Sequence, residues 1–361
     1  MTVAFLHYTA PPVVGGVEAV MLAHARIFSQ AGVGPVRVIA GQGDPAALPE
    51  GVSLVILPEM DSRHPAIAQA SRELEQGRVP PAFESLSASL EQALAPALAD
   101  CSAVIIHNIF TKHFNLPLTA ALDRLRESGG LPGGIAWCHD FTWTSPHSRA
   151  KVQPGYPWDL LRTRRPGLRY VTVSEARRRD LAELLDCPVD QIQVIYNGVS
   201  PQTLWMLSPQ GQALVERLRL LESDLVLLMP VRVTQAKNIE LALQVTAAIK
   251  RQGLQPRLIV SGPPDPHDLE NMVYFQGLQR QRDELGLQAE AHFVYELGEA
   301  PDQPLVLDEE QVAELYRASD LMFMPSRREG FGMPVLEAGL VGLPVASSDV
   351  PAVGEIGGED V

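Results

Sequence analysis

Several features that assign a function directly are missing from this sequence of 361 residues. It contains no Asp-x-Asp, the usual carboxylate pair that holds a metal ion on a nucleotide diphosphate. It also has no Gly-x-Gly-x-x-Gly after the first predicted strand and no Gly-Lys-Ser/Thr phosphate loop, which disfavours the dinucleotide-binding and P-loop classes. No group of cysteines and histidines has the spacing of a metal site, so we expect neither a metal ion nor a cofactor.

Cysteine and long apolar segments are also scarce. Cys101, Cys138 and Cys187 are widely spaced and odd in number, which fits neither a disulfide framework nor a zinc site. The longest apolar runs, such as Leu225–Val231, are far shorter than the roughly 20 residues of a membrane span. The chain starts directly with a strand-like segment, so we expect no signal peptide and a location in the reducing cytoplasm.

Acidic residues outnumber basic ones, and the formal net charge of −14 at pH 7 repels nucleic acid. Two interpretations remain open for an arginine-rich stretch in the first half of the chain. It is either a surface for a phosphorylated acceptor or for the inner face of an anionic membrane, or a solvated helix face paired with nearby carboxylates. The arginines concerned are Arg162, Arg164, Arg165, Arg169, Arg177, Arg178 and Arg179.

Short β-branched segments alternate with longer amphipathic ones, a pattern typical of βαβ units and of the α/β class. The predicted strands of the first half are Val3–Tyr8, Val36–Ala40, Leu54–Leu57, Ala103–His107, Ile135–His139, Tyr170–Val173 and Gln193–Tyr196. Those of the second half are Leu225–Pro230, Arg257–Ser261, His292–Val294, Leu321–Met324 and Pro344–Ala346. Predicted helices include Ala19–Ala31, Phe83–Leu98 and Asn238–Gln252.

The alternation is interrupted once, over residues 200–224, which lack a predicted strand and contain two prolines and a charged helix. We therefore predict two doubly wound α/β domains, over residues 1–199 and 225–361, joined by an interdomain region over 200–224. Ligands of such sheets lie at the carboxyl ends of the strands.

A glycine pair, Gly15 and Gly16, follows the first predicted strand and precedes a helix. Paired glycines let backbone N–H groups approach a ligand closely, and a helix N-terminus favours an anion. A tight strand-to-helix turn without a ligand explains the same residues equally well.

Two cations stand at the start of the second domain. Arg232 lies just past the predicted strand Leu225–Pro230, and Lys237, one of only four lysines, lies where a helix begins. Two cations at a helix N-terminus form a diphosphate site that needs no metal. The alternative is a pair of solvated surface charges.

Two carboxylates, Glu329 and Glu337, flank a glycine-bearing loop that leads into a helix. We expect Glu337 in the first turn of this helix, where its carboxylate can accept hydrogen bonds from vicinal hydroxyls of a sugar or ribose. The backbone N–H groups of Gly330, Phe331 and Gly332 can bind a phosphate or hydroxyl. A helix-capping Glu337 and a loop Glu329 without a ligand are the alternative.

Five segments together resemble the retaining glycosyltransferases of family 4. They are the early glycine pair, VSEARRRDL at 173–181, VIYNGV at 194–199, VRVTQAKN at 231–238 and EGFGMPVLE at 329–337. No single segment is decisive, but their order and spacing are specific and span most of the chain. The resemblance implies the GT-B fold, in which two Rossmann-like domains face each other across a cleft.

The resemblance also implies a role for each donor-side residue. Arg232 and Lys237 would hold the diphosphate of the donor and stabilise its charge as it leaves, in place of a metal ion. Glu329 would contact hydroxyls of the hexose, with the neighbouring amides of the glycine-bearing loop beside it, and Glu337 would bind the ribose. The second domain would thus bind the nucleotide sugar and the first the acceptor.

In the first domain the family's active-site histidine corresponds to His139. It would hydrogen-bond to the sugar near the reacting carbon, although a strand-end histidine is often only structural. Asp140 and Trp143 follow it as acceptor-side candidates, since sugars stack on aromatic faces. Gly15 and Gly16 would approach the donor phosphate or an anionic acceptor.

Two departures from the family pattern concern the diphosphate loop. Val231 replaces a glycine that usually precedes the arginine, and Asn238 replaces one that commonly follows the lysine. The helix with which family members cross back to the first domain is also absent, so we expect the native chain to continue beyond Val361.

The sequence predicts a metal-independent, retaining hexosyltransferase of carbohydrate biosynthesis. It would move a hexose from a donor of the UDP-glucose or GDP-mannose type to a hydroxyl acceptor by a front-face mechanism. One alternative is a sugar-nucleotide epimerase or hydrolase of the same fold, which would consume the donor without an acceptor. Another is a non-catalytic homologue that binds nucleotide but transfers nothing.

Overall fold

The computed structural model describes residues 2–264, 271–300 and 303–357. The chain divides into two compact units, residues 1–198 and 199–361. Each unit contains a parallel sheet with helices packed against it, so the α/β class and the two Rossmann-like domains are confirmed.

The first unit is built on a seven-stranded sheet in the order β3-β2-β1-β4-β5-β6-β7. Its strands are β1 (Thr2–Leu6), β2 (Val36–Ala40), β3 (Val52–Ile56), β4 (Cys101–His107), β5 (Gly133–Cys138), β6 (Leu168–Thr172) and β7 (Ile192–Val194). Its helices are α1 (Gly16–Gln30), α2 (Pro65–Glu75), α3 (Phe83–Leu98), α4 (Leu116–Glu127) and α5 (Glu175–Leu184).

The central strand β1 is buried on both faces of the sheet, which agrees with its nearly continuous apolar sequence. Along β1, Ala4 and Leu6 point into one core cluster, while Val3 and Phe5 point into another on the opposite face. The strand order reverses between β1 and β4. Residues that follow β1, β4 and β5 therefore share one edge of the sheet, where doubly wound folds bind their ligands.

The second unit has a five-stranded parallel sheet in the order β10-β9-β8-β11-β12. Its strands are β8 (Leu225–Met229), β9 (Pro256–Val260), β10 (Ala291–Phe293), β11 (Leu321–Met324) and β12 (Val345–Ser347). Its helices are α6 (Pro201–Leu204), α7 (Pro209–Arg217), α8 (Ile239–Arg251), α9 (Asn271–Glu284), α10 (Glu309–Arg317), α11 (Met333–Val341) and α12 (Pro351–Gly357). The order reverses between β8 and β11, whose carboxyl ends are adjacent.

The predicted interdomain region, residues 200–224, lies within the second unit. It forms α6 and α7, and Leu214, Val215 and Leu218 are buried in the same core cluster as Leu228 of β8. The buried carboxylate of Glu314 accepts hydrogen bonds from the backbone and side chain of Ser208 at the start of α7. This stretch therefore belongs to the core of the second unit instead of only connecting two domains.

Candidate functional site

Lys237 and Glu329 form an ion pair at the carboxyl edge of the second sheet. Lys237 lies in the segment after β8 and Glu329 in the loop after β11, and these strands are neighbours. Lys237 Nζ is 2.7 Å from each carboxylate oxygen of Glu329. Only 7% of the Glu329 side chain is exposed. The pair occupies the point at which the strand order reverses, the usual ligand position of open α/β sheets.

Asn238 holds the turn that carries Lys237. It adopts the left-handed conformation, with φ of 52°, immediately before α8. Its side-chain nitrogen donates to Pro325 O at 3.0 Å, and its side-chain oxygen accepts from Arg327 at 3.1 Å. Asparagine tolerates this conformation better than most residues do. The family's glycine is thus replaced here by a residue that keeps the backbone and also ties it to the loop of Glu329.

We expect Asn238→Gly to preserve the position of Lys237 better than Asn238→Ala. Both variants lose the two amide contacts, but only alanine pays about 1–2 kcal/mol for the left-handed conformation. Thermal unfolding and the KM for donor of the two variants measure the difference. Equal impairment of both would show that the amide contacts alone position Lys237.

Arg232 is exposed in the segment that follows β8, between the buried residues Val231 and Val233. A neighbouring loop packs tightly against this segment at Gly262. A Cβ atom at Gly262 would lie 2.4 Å from Val231 O and 2.8 Å from Arg232 N. Only glycine allows this approach, so Gly262 shapes the backbone that presents Arg232.

The glycine-bearing loop leads into α11 as predicted. Gly332 precedes the helix with φ of 100°, a conformation that favours glycine. Gly330 makes no close approach that a Cβ would block, and Phe331 is 55% exposed. The backbone N–H groups at this helix N-terminus are therefore next to a loop with little side-chain bulk.

Glu337 lies elsewhere on α11 than we predicted. It is in the second turn of the helix, is exposed, and accepts a hydrogen bond from the Tyr316 hydroxyl at 2.6 Å. Among the described residues it makes no contact with Lys237 or Glu329. Together with Leu307, Asp308 and Tyr316 it lines a cavity of about 490 Å³ between α10 and α11. The helix begins at Met333, which places Glu337 in its second turn, and the exposure of the carboxylate avoids the cost of burying a charge.

Tyr316 was not among the predicted site residues. It is 3% exposed, and burial together with the Glu337 carboxylate raises the pKa of its phenol. The phenol therefore stays protonated, and its O–H donates a hydrogen bond to the Glu337 carboxylate. The spacing of the apolar residues along α10 indicates that Tyr316 lies in the core. Only the packing of α10 on α11 reveals that its hydroxyl has a polar partner.

In the first unit, His139 follows β5 at the sheet edge. Its backbone N–H donates to Asn108 Oδ1 at 2.8 Å, and its Nε2 is 3.1 Å from Nδ1 of His107. Burial, with smaller contributions from His7 and His24, lowers the pKa of His139 to about 4. The ring is therefore neutral at physiological pH and serves as a hydrogen-bonding group.

Asp140 is held by two cations. Lys112 Nζ donates to its Oδ2 at 2.7 Å, and Arg177 approaches Oδ1 at 3.5 Å. Burial acts to raise the pKa of Asp140, but the hydrogen bond from Lys112 and the nearby positive charges lower it below its ordinary value. The carboxylate is thus ionised and partly exposed.

Trp143 is not available to stack on a sugar, which corrects our expectation. It is 8% exposed and packs in a core cluster with Trp158. The guanidinium groups of Arg149 and Arg162 lie 4.4 Å and 4.2 Å from the centre of its ring. Its aromatic surface is therefore already covered by the protein, and spacing along the chain does not indicate its contact with these two cations.

The glycine turn before α1 holds a carboxylate of the protein itself. The helix begins at Gly16, and Glu18 in its first turn accepts a hydrogen bond from Thr9. A Cβ atom at Gly15 would lie 2.2 Å from Glu18 Oε2, so a larger residue there would force the Glu18 carboxylate to move. Glu18 already makes the favourable interaction between an anion and a helix N-terminus, which counts against a phosphate at Gly15 and Gly16.

A small pocket of about 290 Å³ lies at the same edge of the first sheet. His7, Thr9, Glu18 and Asn108 contribute polar groups to its wall, and Phe114 contributes an aromatic one. Sequence reasoning missed these residues. The signal was present for His7 and Asn108, because both directly follow strands that meet at the point of order reversal.

The arginine-rich stretch is largely paired with carboxylates. Four of its members form ion pairs: Arg162 with Asp159, Arg165 with Asp123, Arg177 with Asp180, and Arg178 with Glu175. Arg165 is buried, and the carboxylates that pair with the other three arginines reduce the positive charge that they offer to a membrane or an anionic acceptor. This arrangement matches the second of the two interpretations above.

Within the described residues, no group of three or more His, Cys, Asp or Glu could hold a metal ion. In the same part of the chain, no helix is both long and apolar enough to cross a membrane.

Comparison with known proteins finds a family match in the second unit. Residues 212–361 match the family model of the glycosyl transferases group 1. An uncharacterized glycosyltransferase of Methanocaldococcus jannaschii is 28% identical, over 52% of this chain and 43% of that protein. A D-inositol 3-phosphate glycosyltransferase of Thermobispora bispora is 33% identical, over 50% of this chain and 39% of that protein. The chain thus spans about two fifths of the length of these curated relatives.

Among solved structures, Alr3699/HepE of Anabaena in complex with UDP and glucose is 18% identical. The match covers 98% of this chain and 82% of that chain, with a TM-score of 0.36.

Proposed function

We propose that this chain, whose residues 212–361 match the family model of the glycosyl transferases group 1, transfers a hexose from a nucleotide diphosphate sugar to a hydroxyl acceptor. The proposed reaction retains the configuration at the anomeric carbon and uses no metal ion or other cofactor. The donor is of the UDP-glucose or GDP-mannose type, and the acceptor is a small or lipid-linked alcohol.

The ion pair of Lys237 and Glu329 carries this proposal. It lies in the matched part of the chain and at the ligand-binding edge of the second sheet. An ammonium group has three donors, and Glu329 engages at most two of them, so one is left for a phosphate oxygen. Glu329 in turn is fixed by Lys237 and can accept hydrogen bonds from hexose hydroxyls.

Charge stabilisation would account for most of the catalysis. Negative charge grows on the diphosphate as the bond between the anomeric carbon and the phosphate oxygen breaks, and Lys237 and Arg232 would stabilise it. The acceptor hydroxyl attacks from the side of the leaving phosphate, which takes the hydroxyl proton, and the configuration is retained. The backbone amides of Phe331 and Gly332, beside Glu329, would donate hydrogen bonds to a phosphate or hydroxyl oxygen of the donor.

His139 and Asp140 would act on the acceptor side, in the first unit. The neutral His139 ring would hydrogen-bond to the hexose near the reacting carbon. Because Glu18 occupies the glycine turn, we favour uncharged hydroxyl groups over a phosphate there. The cytoplasm is the proposed location, since Cys101, Cys138 and Cys187 are free thiols.

A thermal-unfolding screen over nucleotide sugars tests donor binding first. A ligand at 100 times its Kd stabilises a protein by about 2.7 kcal/mol, so the true donor should raise the unfolding temperature clearly. The shift should disappear in Lys237→Ala. A screen without any shift, or an equal shift in the variant, would contradict the proposed donor site.

Incubation with the donor that binds separates the proposal from its alternatives. A transferase should produce a new glycoside only with an acceptor, for which small polyols such as myo-inositol are tested with and without EDTA. Rapid donor consumption without an acceptor would indicate the epimerase or hydrolase, and binding without turnover would indicate a non-catalytic homologue.

The Tyr316–Glu337 hydrogen bond gives a prediction about ribose binding. We expect Tyr316→Phe to raise the KM for donor roughly tenfold with little change in kcat, because a hydrogen bond to a charged group contributes about 1.5 kcal/mol or more. Tyr156→Phe is a suitable control, since Tyr156 donates to Glu84 at 3.2 Å in the first unit. An unchanged KM in Tyr316→Phe would count against Glu337 as the ribose ligand.

A further inference from the structure

A chain of histidines lies at the edge of the first sheet, and the function proposed above uses only its last member. His7 follows β1, His107 ends β4 and His139 follows β5. His7 Nδ1 is 3.0 Å from the His107 carbonyl oxygen, and His107 Nδ1 is 3.1 Å from His139 Nε2. The strands are adjacent and parallel, so their carboxyl ends bring these rings together.

His107 is the buried member of this chain. It is completely inaccessible to solvent and is surrounded by the rings of Phe5, His24 and Trp137. Burial, together with the neighbouring histidines, lowers the pKa of His107 well below its ordinary value. The imidazole is therefore neutral, with one nitrogen that donates and one that accepts.

The surroundings of His107 decide which nitrogen carries the proton. Its Nε2 is buried and has no hydrogen-bond partner among the described residues, whereas Nδ1 faces His139. A buried N–H without a partner is rarer in proteins than an acceptor that lacks one. The proton of His107 therefore belongs on Nδ1, and this N–H donates a hydrogen bond to His139 Nε2.

This hydrogen bond in turn determines which ring nitrogen of His139 carries the proton. A neutral His139 that accepts at Nε2 must carry its own proton on Nδ1. That nitrogen makes no hydrogen bond within the described part of the chain, and the residue is partly exposed. The backbone is held as well, since Asn108 Oδ1 accepts from the N–H groups of His139 and Asp140 at 2.8 Å and 3.2 Å.

We propose that His107 is a positioning residue that holds His139 as the Nδ1–H tautomer, so that His139 offers a hydrogen-bond donor to a hydroxyl oxygen of the hexose. The hydrogen bond from His139 to the hexose rests on the proposed function, but the assignment of the His139 tautomer does not. His107 itself touches no substrate and acts only through the orientation and protonation of His139.

Histidine-selective ¹⁵N labelling tests the tautomer without an activity assay. Protonated and unprotonated ring nitrogens resonate in separate regions of the spectrum, and His139→Gln identifies the signals of His139 among the nine histidines. We expect the wild-type protein to show a protonated Nδ1 and an unprotonated Nε2 at this residue. A protonated Nε2 in the wild-type protein would overturn the proposal.

Two substitutions at His107 test its effect on His139. His107→Leu suits the apolar surroundings but removes the donor, so we expect a mixture of His139 tautomers and a kcat about tenfold lower, as for the loss of one oriented hydrogen bond. His107→Asn places an amide nitrogen near the position of Nδ1 and should restore both the tautomer and most of the kcat. A merely structural role for His107 would not produce this rescue.

The outcomes separate this inference from the proposed function. If His107→Leu keeps the wild-type tautomer and kcat, the inference is wrong while the transferase stands. If the wild-type protein transfers no hexose, the proposed function is wrong, and the wild-type spectrum still decides the tautomer. If His107→Leu fails to fold, the wild-type spectrum and His107→Asn decide.

Discussion

Lys237→Ala is expected to lower kcat/KM for hexose transfer by a factor of about 10² or more. The ammonium group would stabilise the departing diphosphate, and loss of one such preorganised donor costs about 3 kcal/mol of transition-state stabilisation. Steady-state kinetics with saturating acceptor and varied donor give the value. Turnover close to that of the wild-type protein would refute the assignment of this site.

The Lys237→Ala experiment needs a control for Glu329, the carboxylate that pairs with Lys237. The substitution leaves Glu329 nearly buried without its cation, which can disturb the loop in its own right. The double variant Lys237→Ala/Glu329→Gln removes that unpaired charge, and we expect it to remain as inactive as the single variant. Lys250→Ala is the matched control, because Lys250 lies in the same unit, on α8, and also pairs with a carboxylate, Glu290, at 2.8 Å. It should transfer normally.

The second large effect concerns stability, at Asp123 of α4. Asp123→Ala is expected to destabilise the first unit by about 3–5 kcal/mol, because it leaves the guanidinium of Arg165 buried without a counter-ion. Arg165 is 2% exposed and lies 3.1 Å from Asp123 Oδ1. The guanidinium also contacts the carbonyl oxygens of Leu160 and Thr163, each at 2.9 Å, and the Phe110 ring, whose centre is 4.3 Å away. Burial already lowers the pKa of Arg165, and the opposing effect of Asp123 would be lost.

Urea unfolding followed by tryptophan fluorescence measures this loss mainly in the first unit, since Trp137, Trp143 and Trp158 lie there and Trp205 lies in the second unit. Asp159→Ala is the matched control. Its pair with Arg162 is exposed, at 2.8 Å with 40% and 42% of the side chains accessible, and such pairs contribute about 0–1 kcal/mol. Similar unfolding midpoints for the two variants would mean that Asp123 is not needed to balance the buried positive charge of Arg165.

The sequence was sufficient for the order of secondary structure. All of the predicted strands occur in the described residues, with ends shifted by a few residues, and α3 has the predicted bounds Phe83–Leu98. The resemblance to glycosyltransferases is confirmed for residues 212–361, which match the family model of the glycosyl transferases group 1, and the assignment to family 4 stays a prediction. These features depend on local periodicity and on ordered motifs, which a single chain displays directly.

Side-chain contacts between elements were harder to predict. Glu337 was expected near the strand ends, but its turn of α11 presents it to Tyr316 of α10. Trp143 was expected to be open to a sugar, but two arginines from other segments cover it. Glu18 was not considered at all, although it fills the turn made by the glycine pair. Each of these contacts joins residues through packing, for which spacing along the chain carries no signal.

By itself, the sequence determined the two α/β units and the alignment of Lys237 and Glu329 with the ends of strands, because hydrophobic periodicity and motif order are local properties. Only the tertiary structure decided that these two residues meet at 2.7 Å and that His107 lies against His139. The physical reason is strand order. Residues far apart in the chain become neighbours when parallel strands pair, and the burial of their surroundings then sets which groups are charged and which hold a proton.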